Sequence, residues 1–316
     1  MRSRLTLGSR GSPLALWQAN FIKATLERAE PVEVRIEVIR TTGDKITDVP
    51  LAQAGGSKAL FTKEIEEALL EKRIDLAVHS LKDLPVELPR GLVIAAIPER
   101  EDARDALVSR SGKTWSDLPA AARVGTSSLR RQAQLRLLRK DLAIEPLRGN
   151  VDTRLRKLDE GRYDAIVLAL AGLKRMGWPD RATQIFSVDE MVPAIGQGAL
   201  AIEARSDDAE LLAALSRLSD PDTEAATRAE RAFLARLGGG CQVPLAGHAQ
   251  VKGESLELMG VVVSADGSQA VRGTERGAAS DARALGEALA ERLLRQGARE
   301  ILAAIEEASL RLPGSA

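Results

Sequence analysis

The chain repeats one strand–turn–helix pattern, and this repeat limits its fold more than any other feature of the sequence. Residues 5–8 predict a short strand that leads through a polar turn into a helix starting at Pro13. Residues 123–131 show the same order, and the segment 161–167 (GRYDAIV) is similar to 72–78 (KRIDLAV). Apolar strands of this kind are typical of mainly parallel sheets that are buried on both faces. The sequence therefore predicts two α/β domains of similar build.

The C-terminal part of the sequence follows a different pattern. Strands are predicted over 256–264 and 269–273, on either side of the hairpin signal Asp-Gly at 266–267. A helix is predicted over 282–304, with a break near Gly297. A chain of 316 residues is expected to hold two or three domains, so this part predicts a small α+β third domain.

Composition excludes several classes of function. Lys plus Arg equals Asp plus Glu at 45 each, so the net charge gives no reason to expect nucleic acid or an anionic membrane as a partner. The N-terminus has no apolar signal segment, and no run of 18 apolar residues occurs. We therefore expect a soluble cytoplasmic protein. The chain has only two histidines, which are far apart in the sequence, and one cysteine, and these are the usual ligands of transition metals. We therefore expect no metal.

The single cysteine, Cys241, follows three glycines. One thiol cannot form an internal disulfide, and a free cysteine is most often a small buried hydrophobe. The glycines argue for a different environment, because they have no side chain to pack and accept positive φ angles. Cys241 is therefore expected on an uncrowded loop just after a helix, where its thiol can form a bond.

Arginines cluster where predicted strands meet loops. Backbone N–H groups and the helix dipole make helix N-termini ready anion sites, and a guanidinium group binds a carboxylate through two parallel bonds. Any one arginine is more often a solvated surface charge, but a set at such junctions predicts a small ligand with several carboxylates or phosphates. The arginines in question are Arg10, Arg130, Arg131, Arg148, Arg154 and Arg175.

Asp83 is the candidate for proton transfer, because it follows a buried strand that ends near residue 79. A carboxylate inside a cationic cleft could serve as general acid and base in successive steps. The alternative is a surface charge pair with the adjacent Lys82. His79, at the strand end, is more often a hydrogen-bonded core histidine than a catalyst, and lines the site at most.

Five motifs of this chain resemble those of the porphobilinogen deaminase family, also called hydroxymethylbilane synthases. The likeness runs in order from about Arg4 to Ile305, and five long motifs are far more specific than one loop. The motifs are SPLALWQA at 12–19, AVHSLKDLP at 77–85, VGTSSLRR at 124–131, LRGNVDTR at 147–154 and GGCQVP at 239–244.

The resemblance implies an enzyme of tetrapyrrole biosynthesis. Such a transferase condenses four porphobilinogen molecules head to tail with loss of ammonia and releases hydroxymethylbilane by hydrolysis. Its primer is a dipyrromethane cofactor, which the resemblance places on Cys241 through a thioether. The family favours a monomer, and its product passes to the next enzyme of the pathway.

The resemblance also assigns roles to individual residues. Asp83 becomes the catalytic acid and base, and Lys58 and Phe61 belong to a mobile lid. The cofactor contacts that it implies are Lys82, Thr126, Ser127, Ser128, Arg130, Arg131, Arg148 and Gly198. The implied substrate contacts are Arg10, Ser12, Arg148, Arg154, Arg175 and Gln197. In the lid, many relatives have a lysine at the position of Gln53 and no equivalent of Ser57, so the lid differs here in detail.

The family's fold has three domains, of which the first two are like periplasmic binding proteins, in agreement with the repeat. On this basis domain 1 comprises 1–98 plus 199–217, domain 2 comprises 99–198, and domain 3 comprises 218–316.

Two other functions fit parts of the sequence. A two-domain receptor or effector domain that binds polycarboxylates without catalysis would share the repeated fold and the arginines. A cysteine-dependent acyl transferase would need a general base beside the thiol, and only His79 and His248 are on offer.

Overall fold

The computed structural model describes residues 2–45, 58–238 and 243–310. Cys241 and the lid positions Gln53 and Ser57 lie outside the described residues. The strands are β1 (Arg4–Ser9), β2 (Glu33–Val38), β3 (Leu76–Ser80), β4 (Leu92–Ala96), β5 (Asp105–Ser109), β6 (Arg123–Gly125), β7 (Ala143–Glu145), β8 (Ala165–Ala169), β9 (Gln184–Ile185), β10 (Leu200–Arg205), β11 (Leu245–Lys252), β12 (Ser255–Val263) and β13 (Ala270–Ala278).

The α-helices are α1 (Pro13–Ala29), α2 (Thr42–Lys45), α3 (Lys63–Leu70), α4 (Leu129–Leu138), α5 (Val151–Asp159), α6 (Leu170–Arg175), α7 (Ala209–Ser216), α8 (Pro221–Arg236), α9 (Ala282–Leu293) and α10 (Arg299–Leu310). Short 3₁₀ turns cover Lys58–Phe61, Leu81–Asp83, Pro179–Arg181 and Ala279–Asp281. Within the described ranges, every helix lacks the length or the apolar character needed to span a bilayer.

The chain divides into two compact units. The first comprises Met1–Glu101 and Gly198–Glu224, and the second comprises Asp102–Gln197 and Ala225–Ala316. The second unit therefore holds most of the residues of predicted domains 2 and 3. The three domain boundaries drawn from the sequence stay a prediction.

The first unit is built on a five-stranded sheet in the order β2-β1-β3-β10-β4. Strands β1, β2 and β3 run parallel, and β10 runs antiparallel to both β3 and β4. Helix α1 covers one face, where Ile22 and Leu26 pack against Leu7 and Ile202 of the sheet. The buried residues Ala19, Ile22 and Leu26 are three and four positions apart, and apolar residues at this spacing form one stripe along a helix.

The second unit contains a sheet of the same plan, in the order β7-β6-β8-β5-β9. Strands β6, β7 and β8 run parallel, and β5 runs antiparallel to β8 and β9. In both sheets the first three positions of the sheet order are taken by parallel strands that helices connect. The fourth position is taken by the one strand that runs antiparallel to its neighbours, β10 in the first sheet and β5 in the second. The predicted repeat of two mainly parallel α/β sheets is confirmed.

The second unit also contains a three-stranded antiparallel sheet, β11-β12-β13. Gly267 lies in the predicted hairpin with a φ of +72°, and a Cβ atom there would come within 2.8 Å of the Leu137 nitrogen. The helical region breaks at Gly297, which has a φ of +109° between α9 and α10. The hairpin and the helix break are therefore as predicted, and a small α+β sheet domain ends the chain.

Candidate active site

The carboxyl ends of the parallel strands β1 and β3 lie at one edge of the first unit's sheet. The turn Leu81–Asp83 follows β3 directly, so it presents Lys82 and Asp83 at this edge. Both side chains are half-buried. Within the described residues, the Asp83 carboxylate takes part in no hydrogen bond or ion pair. A half-buried carboxylate with free acceptor positions suits proton transfer.

Arg10 lies at the same edge, just after β1. Its Cζ atom stands 4.6 Å from the centre of the Phe61 ring, which is close enough for a cation–π contact. Ser12 caps helix α1, and its hydroxyl accepts a hydrogen bond from the Ala15 nitrogen at 3.3 Å. A hydroxyl also has a donor hydrogen, so the cap leaves Ser12 able to donate to a ligand. Lys58 begins the 3₁₀ turn that ends at Phe61.

Gly198 lies in the segment that leads into β10. It has a φ of +89°, which favours glycine, and its carbonyl accepts a hydrogen bond from the Glu101 nitrogen at 3.3 Å. The neighbouring Ala199 carbonyl accepts from the Leu81 nitrogen at 3.0 Å. The fold thus brings Gly198 close to the turn that carries Asp83.

In the second unit, the turn after β6 is held by its own hydroxyl groups. Ser128 caps helix α4, and Ser127 Oγ accepts a hydrogen bond from the Leu147 nitrogen at 3.0 Å. Thr126 Oγ1 accepts from the Ser128 nitrogen at 3.2 Å. These bonds fix the start of α4, where Arg130 and Arg131 follow.

Arg130 and Arg131 are buried and share one carboxylate, that of Asp105 at the start of β5. Arg130 Nη1 lies 2.6 Å from Asp105 Oδ2, and Arg131 Nη2 lies 2.7 Å from Asp105 Oδ1. Gln197 Nε2 donates to the same Oδ1 atom at 3.0 Å. The sequence predicts that both arginines bind a ligand, and that prediction stays untested. The structure shows in addition that both bind Asp105, a partner that was not predicted.

The charges in this buried group do not cancel. Two guanidinium groups face one carboxylate, which leaves one positive charge, and Arg130 Nε has no hydrogen-bond partner within the described residues. Burial alone would raise the pKa of Asp105, but the charges of Arg130 and Arg131 hold it well below its ordinary value of 3.8. Burial lowers the pKa of Arg131. An incoming carboxylate would therefore find an unbalanced positive charge.

Three further arginines follow the carboxyl ends of β7 and β8. Arg148 is half-buried in the loop after β7, and Arg154 on α5 donates from Nε to the Gly149 carbonyl at 2.7 Å. Arg175 is a buried residue that ends α6, the helix after β8. Because β6, β7 and β8 are parallel, the loops that follow them begin at one edge of this sheet, and Arg148 lies in one of these loops.

Models of two protein families match the chain. The model described as "Porphobilinogen deaminase, dipyromethane cofactor binding domain" matches residues 5–213, and "Porphobilinogen deaminase, C-terminal domain" matches residues 225–295. The porphobilinogen deaminase of Syntrophobacter fumaroxidans is 53% identical over 96% of this chain and 98% of its own length. That of Geobacter sulfurreducens is 54% identical over 96% of this chain and 95% of its own length.

The chain belongs to the porphobilinogen deaminase family.

Among solved structures, immunogenic lipoprotein A from Vibrio vulnificus is similar with a TM-score of 0.43 and 13% identity, over 68% of this chain and 94% of that chain.

The residues of this porphobilinogen deaminase family member fit the cofactor that the family model names. A dipyrromethane with acidic side chains needs cations, and the second unit contains a buried group with one excess positive charge. The same unit also contains Arg148, Arg154 and Arg175. The orphaned Arg130 Nε atom is a donor that a carboxylate could satisfy. No cluster of metal-binding side chains occurs in the part of the chain that the structure describes.

His79 is a core histidine, as the sequence indicated. It is buried, and its Nε2 atom lies 3.0 Å from Glu203 Oε2. Glu203 was not predicted, because its pairing with His79 depends on β3 and β10, which are far apart in the chain.

Neutralising Asp105 is expected to destabilise the fold by about 3–5 kcal/mol, because Asp105→Asn leaves two guanidinium groups buried without a counter-charge. Urea unfolding at neutral pH measures this change. Since the pKa of Asp105 is lowered in the folded state, its contribution is complete above pH 3.8 and is lost as the pH falls through the folded-state pKa. The difference between variant and parent should therefore shrink in acid.

Asp180→Asn is the matched control for Asp105→Asn, since Asp180 is an exposed carboxylate in the same unit. It should change the free energy of unfolding by about 0.5 kcal/mol or less. A loss for Asp105→Asn no larger than that of the control would contradict the buried cluster.

Proposed function

We propose that the chain joins four porphobilinogen molecules head to tail, starting from a dipyrromethane held by Cys241 through a thioether. Water then cleaves the bond between the dipyrromethane and the new chain, and hydroxymethylbilane is released. The observation that carries the proposal is the second unit's arginine edge, where Arg130 and Arg131 outnumber Asp105 in a buried group. Such a group favours ligands with carboxylates, and porphobilinogen carries an acetate and a propionate. Family membership supplies the reaction.

The chain's own residues divide the work between binding and proton transfer. Arg10, Arg148, Arg154 and Arg175 would bind the acidic side chains of substrate and growing chain, with Ser12 and Gln197 as further contacts. Arg130, Arg131 and Lys82 would hold the acidic groups of the cofactor, with backbone and hydroxyl contacts from Thr126, Ser127, Ser128 and Gly198. Lys58 and Phe61 would close over the site.

Asp83 would move the protons. Its carboxyl group donates a proton to the amino group of porphobilinogen, which leaves as ammonia when the carbon–nitrogen bond breaks. The new carbon–carbon bond forms to a pyrrole carbon, whose proton then returns to the Asp83 carboxylate, so that each step restores the group. Bound dipyrromethane supplies the first pyrrole carbon that accepts a substrate unit.

We further propose that the chain acts as a cytoplasmic monomer. Membership of the family supports this proposal, because the family resemblance favours a monomer. Light scattering of the purified protein tests this, and a stable dimer would overturn it.

The reaction itself is tested by incubating the purified protein with porphobilinogen. We expect ammonia to appear in equal amount to the porphobilinogen consumed, with one linear tetrapyrrole released for every four substrate molecules. Substrate binding without ammonia release would favour the alternative of a polycarboxylate receptor and would overturn the proposed reaction.

A further inference from the structure

A small group of polar side chains lies inside the first unit, where helix α3 covers the sheet. His79 of β3 and Glu203 of β10 have side chains that are 5% and 0% exposed, and Glu66 of α3 is also buried. Ile65 and Leu69 of the same helix belong to an apolar core cluster that also contains Ala77 of β3. The reaction proposed above uses none of the three polar residues.

The pairing inside the group is incomplete. His79 Nε2 lies 3.0 Å from Glu203 Oε2, whereas Glu203 Oε1 and Glu66 Oε1 have no hydrogen-bond partner within the described residues. Burial raises the pKa of Glu66 above its ordinary value, against a smaller opposing effect of the neighbouring Thr62 hydroxyl group. Glu203 is the carboxylate of this group that lies at hydrogen-bond distance from the imidazole.

The other charged group on this part of β10 is directed elsewhere. Arg205 Nη1 donates to the Leu69 carbonyl at 2.9 Å and to the Ile74 carbonyl at 2.7 Å. Its Nη2 atom lies 3.5 Å from Asp75, at the opposite end of β3 from the Asp83 turn. Strand β4, on the far side of β10, has no titratable residue.

The His79–Glu203 pair lies at the base of the turn that carries Asp83. His79 is the last but one residue of β3, and the turn Leu81–Asp83 begins directly after Ser80. The Leu81 nitrogen donates to the Ala199 carbonyl at 3.0 Å, next to the start of β10. Two contacts thus connect the end of β3 and its turn with β10 and the segment just before it. The His79–Glu203 contact lies before the turn, and the Leu81–Ala199 hydrogen bond lies at its first residue.

A third bond fixes the same strand end from the other face. Gln18 Nε2 of helix α1 donates to Ser80 Oγ at 2.9 Å, and Gln18 is itself buried. The turn that carries Asp83 is therefore held by α1, by β10 and by the buried pair. Only the pair contains an ionisable partner on both sides.

Stability alone does not account for a buried pair of this kind. A buried pair of ionisable side chains is often no more stabilising than apolar side chains of similar volume. Apolar residues would also extend the adjoining clusters, which contain Ile65 and Leu69 on one side and Leu81 and Leu84 on the other. The pair's directional contact can instead fix the orientation of the strand end, which apolar packing does less sharply.

We propose that His79 and Glu203 are positioning residues, which hold the Leu81–Asp83 turn so that the Asp83 carboxylate points at the reacting atoms. This inference rests on the proposed function, because it gives Asp83 the role of acid and base. A displacement of about 1 Å at a reacting group can cost about 100-fold in rate. Loss of the pair should therefore lower kcat much more than it changes KM.

The test compares Glu203→Gln with Glu66→Gln as a matched control on the same buried group. Turnover is measured per molecule of folded, cofactor-loaded enzyme, with loading read from the intact mass. We expect Glu203→Gln to lower kcat by about 10- to 100-fold while KM stays within about twofold. Glu66→Gln should keep kcat, because Glu66 lies on helix α3 and does not connect β10 to the strand that leads into the Asp83 turn.

A structural role alone predicts a different result. Glu203→Gln would then lower the melting temperature but leave kcat per loaded molecule unchanged, and that outcome overturns the proposal. If Glu203→Gln does not fold, His79→Gln is measured in the same way, with the same fall in kcat expected. Absence of turnover in the parent enzyme would count against the proposed function instead, so the two failures are distinguishable.

Discussion

Asp83→Asn is expected to lower kcat by about 100- to 10,000-fold, the range that a single general acid or base contributes. Asparagine keeps the shape of the side chain but can neither donate the proton that ammonia takes away nor accept the one that the pyrrole carbon gives up. The Asp83 carboxylate makes no hydrogen bond or ion pair within the described residues. Its replacement should therefore leave the fold intact.

The experiment measures kcat, the melting temperature and the loaded fraction for Asp83→Asn and for a control, Asp207→Asn. Asp207 is an exposed carboxylate of the same unit, so its replacement should leave turnover and stability unchanged. The assignment predicts a large drop in kcat with an unchanged melting temperature. Turnover of Asp83→Asn close to that of the parent would show that another group transfers the protons.

The arrangement of the sheets could be predicted only in part from the sequence. The repeat revealed β1, β3, β6 and β8, because a strand that runs through a polar turn into a helix is a local pattern. The pairing of β10 beside β3 is not local, since more than a hundred residues separate the two strands. Both neighbours of β10 in the sheet are distant in the chain. The residues of such a strand indicate by their apolar character that it is buried, but they do not indicate which strands it pairs with.

The same distinction separates the site residues that were predicted from those that were missed. Arg130 and Arg131 stand out because they follow a turn at a strand end. Asp105 sits at the end of a charged segment and reads as a surface residue, although it is completely buried between those two arginines. The one available signal is that apolar residues follow Asp105 directly, so that it is the first residue of the buried strand β5. Burial of a charge there requires a partner.

Those buried contacts change what the arginines can do. A guanidinium group on a flexible surface side chain must lose conformational freedom when it binds a ligand. Arg130 and Arg131 are already fixed by Asp105 and by the carbonyls of Val192 and Val167. Their excess positive charge is therefore held in place before a carboxylate arrives, which lowers the cost of binding.

Cys241→Ser is expected to abolish turnover, because a thioether to the cofactor requires the sulfur of Cys241. A thiol forms a thiolate far more readily than a hydroxyl group ionises, so serine cannot replace it as the nucleophile. The intact mass of the parent should exceed that of its chain by one dipyrromethane, and Ehrlich's aldehyde should give a colour. The variant should have the mass of the bare chain and give no colour.

Unfolding the protein before the mass measurement separates a covalent cofactor from a bound one. A thioether survives denaturation, so the added mass should remain with the parent chain, whereas a ligand held only by the arginines would be lost. Cys241 is the single cysteine in the sequence, which means that no other thiol can carry the group. An added mass on Cys241→Ser, or turnover by it, would show that the anchor is not this sulfur. Loss of the added mass from the unfolded parent would show that the cofactor is bound without a covalent bond.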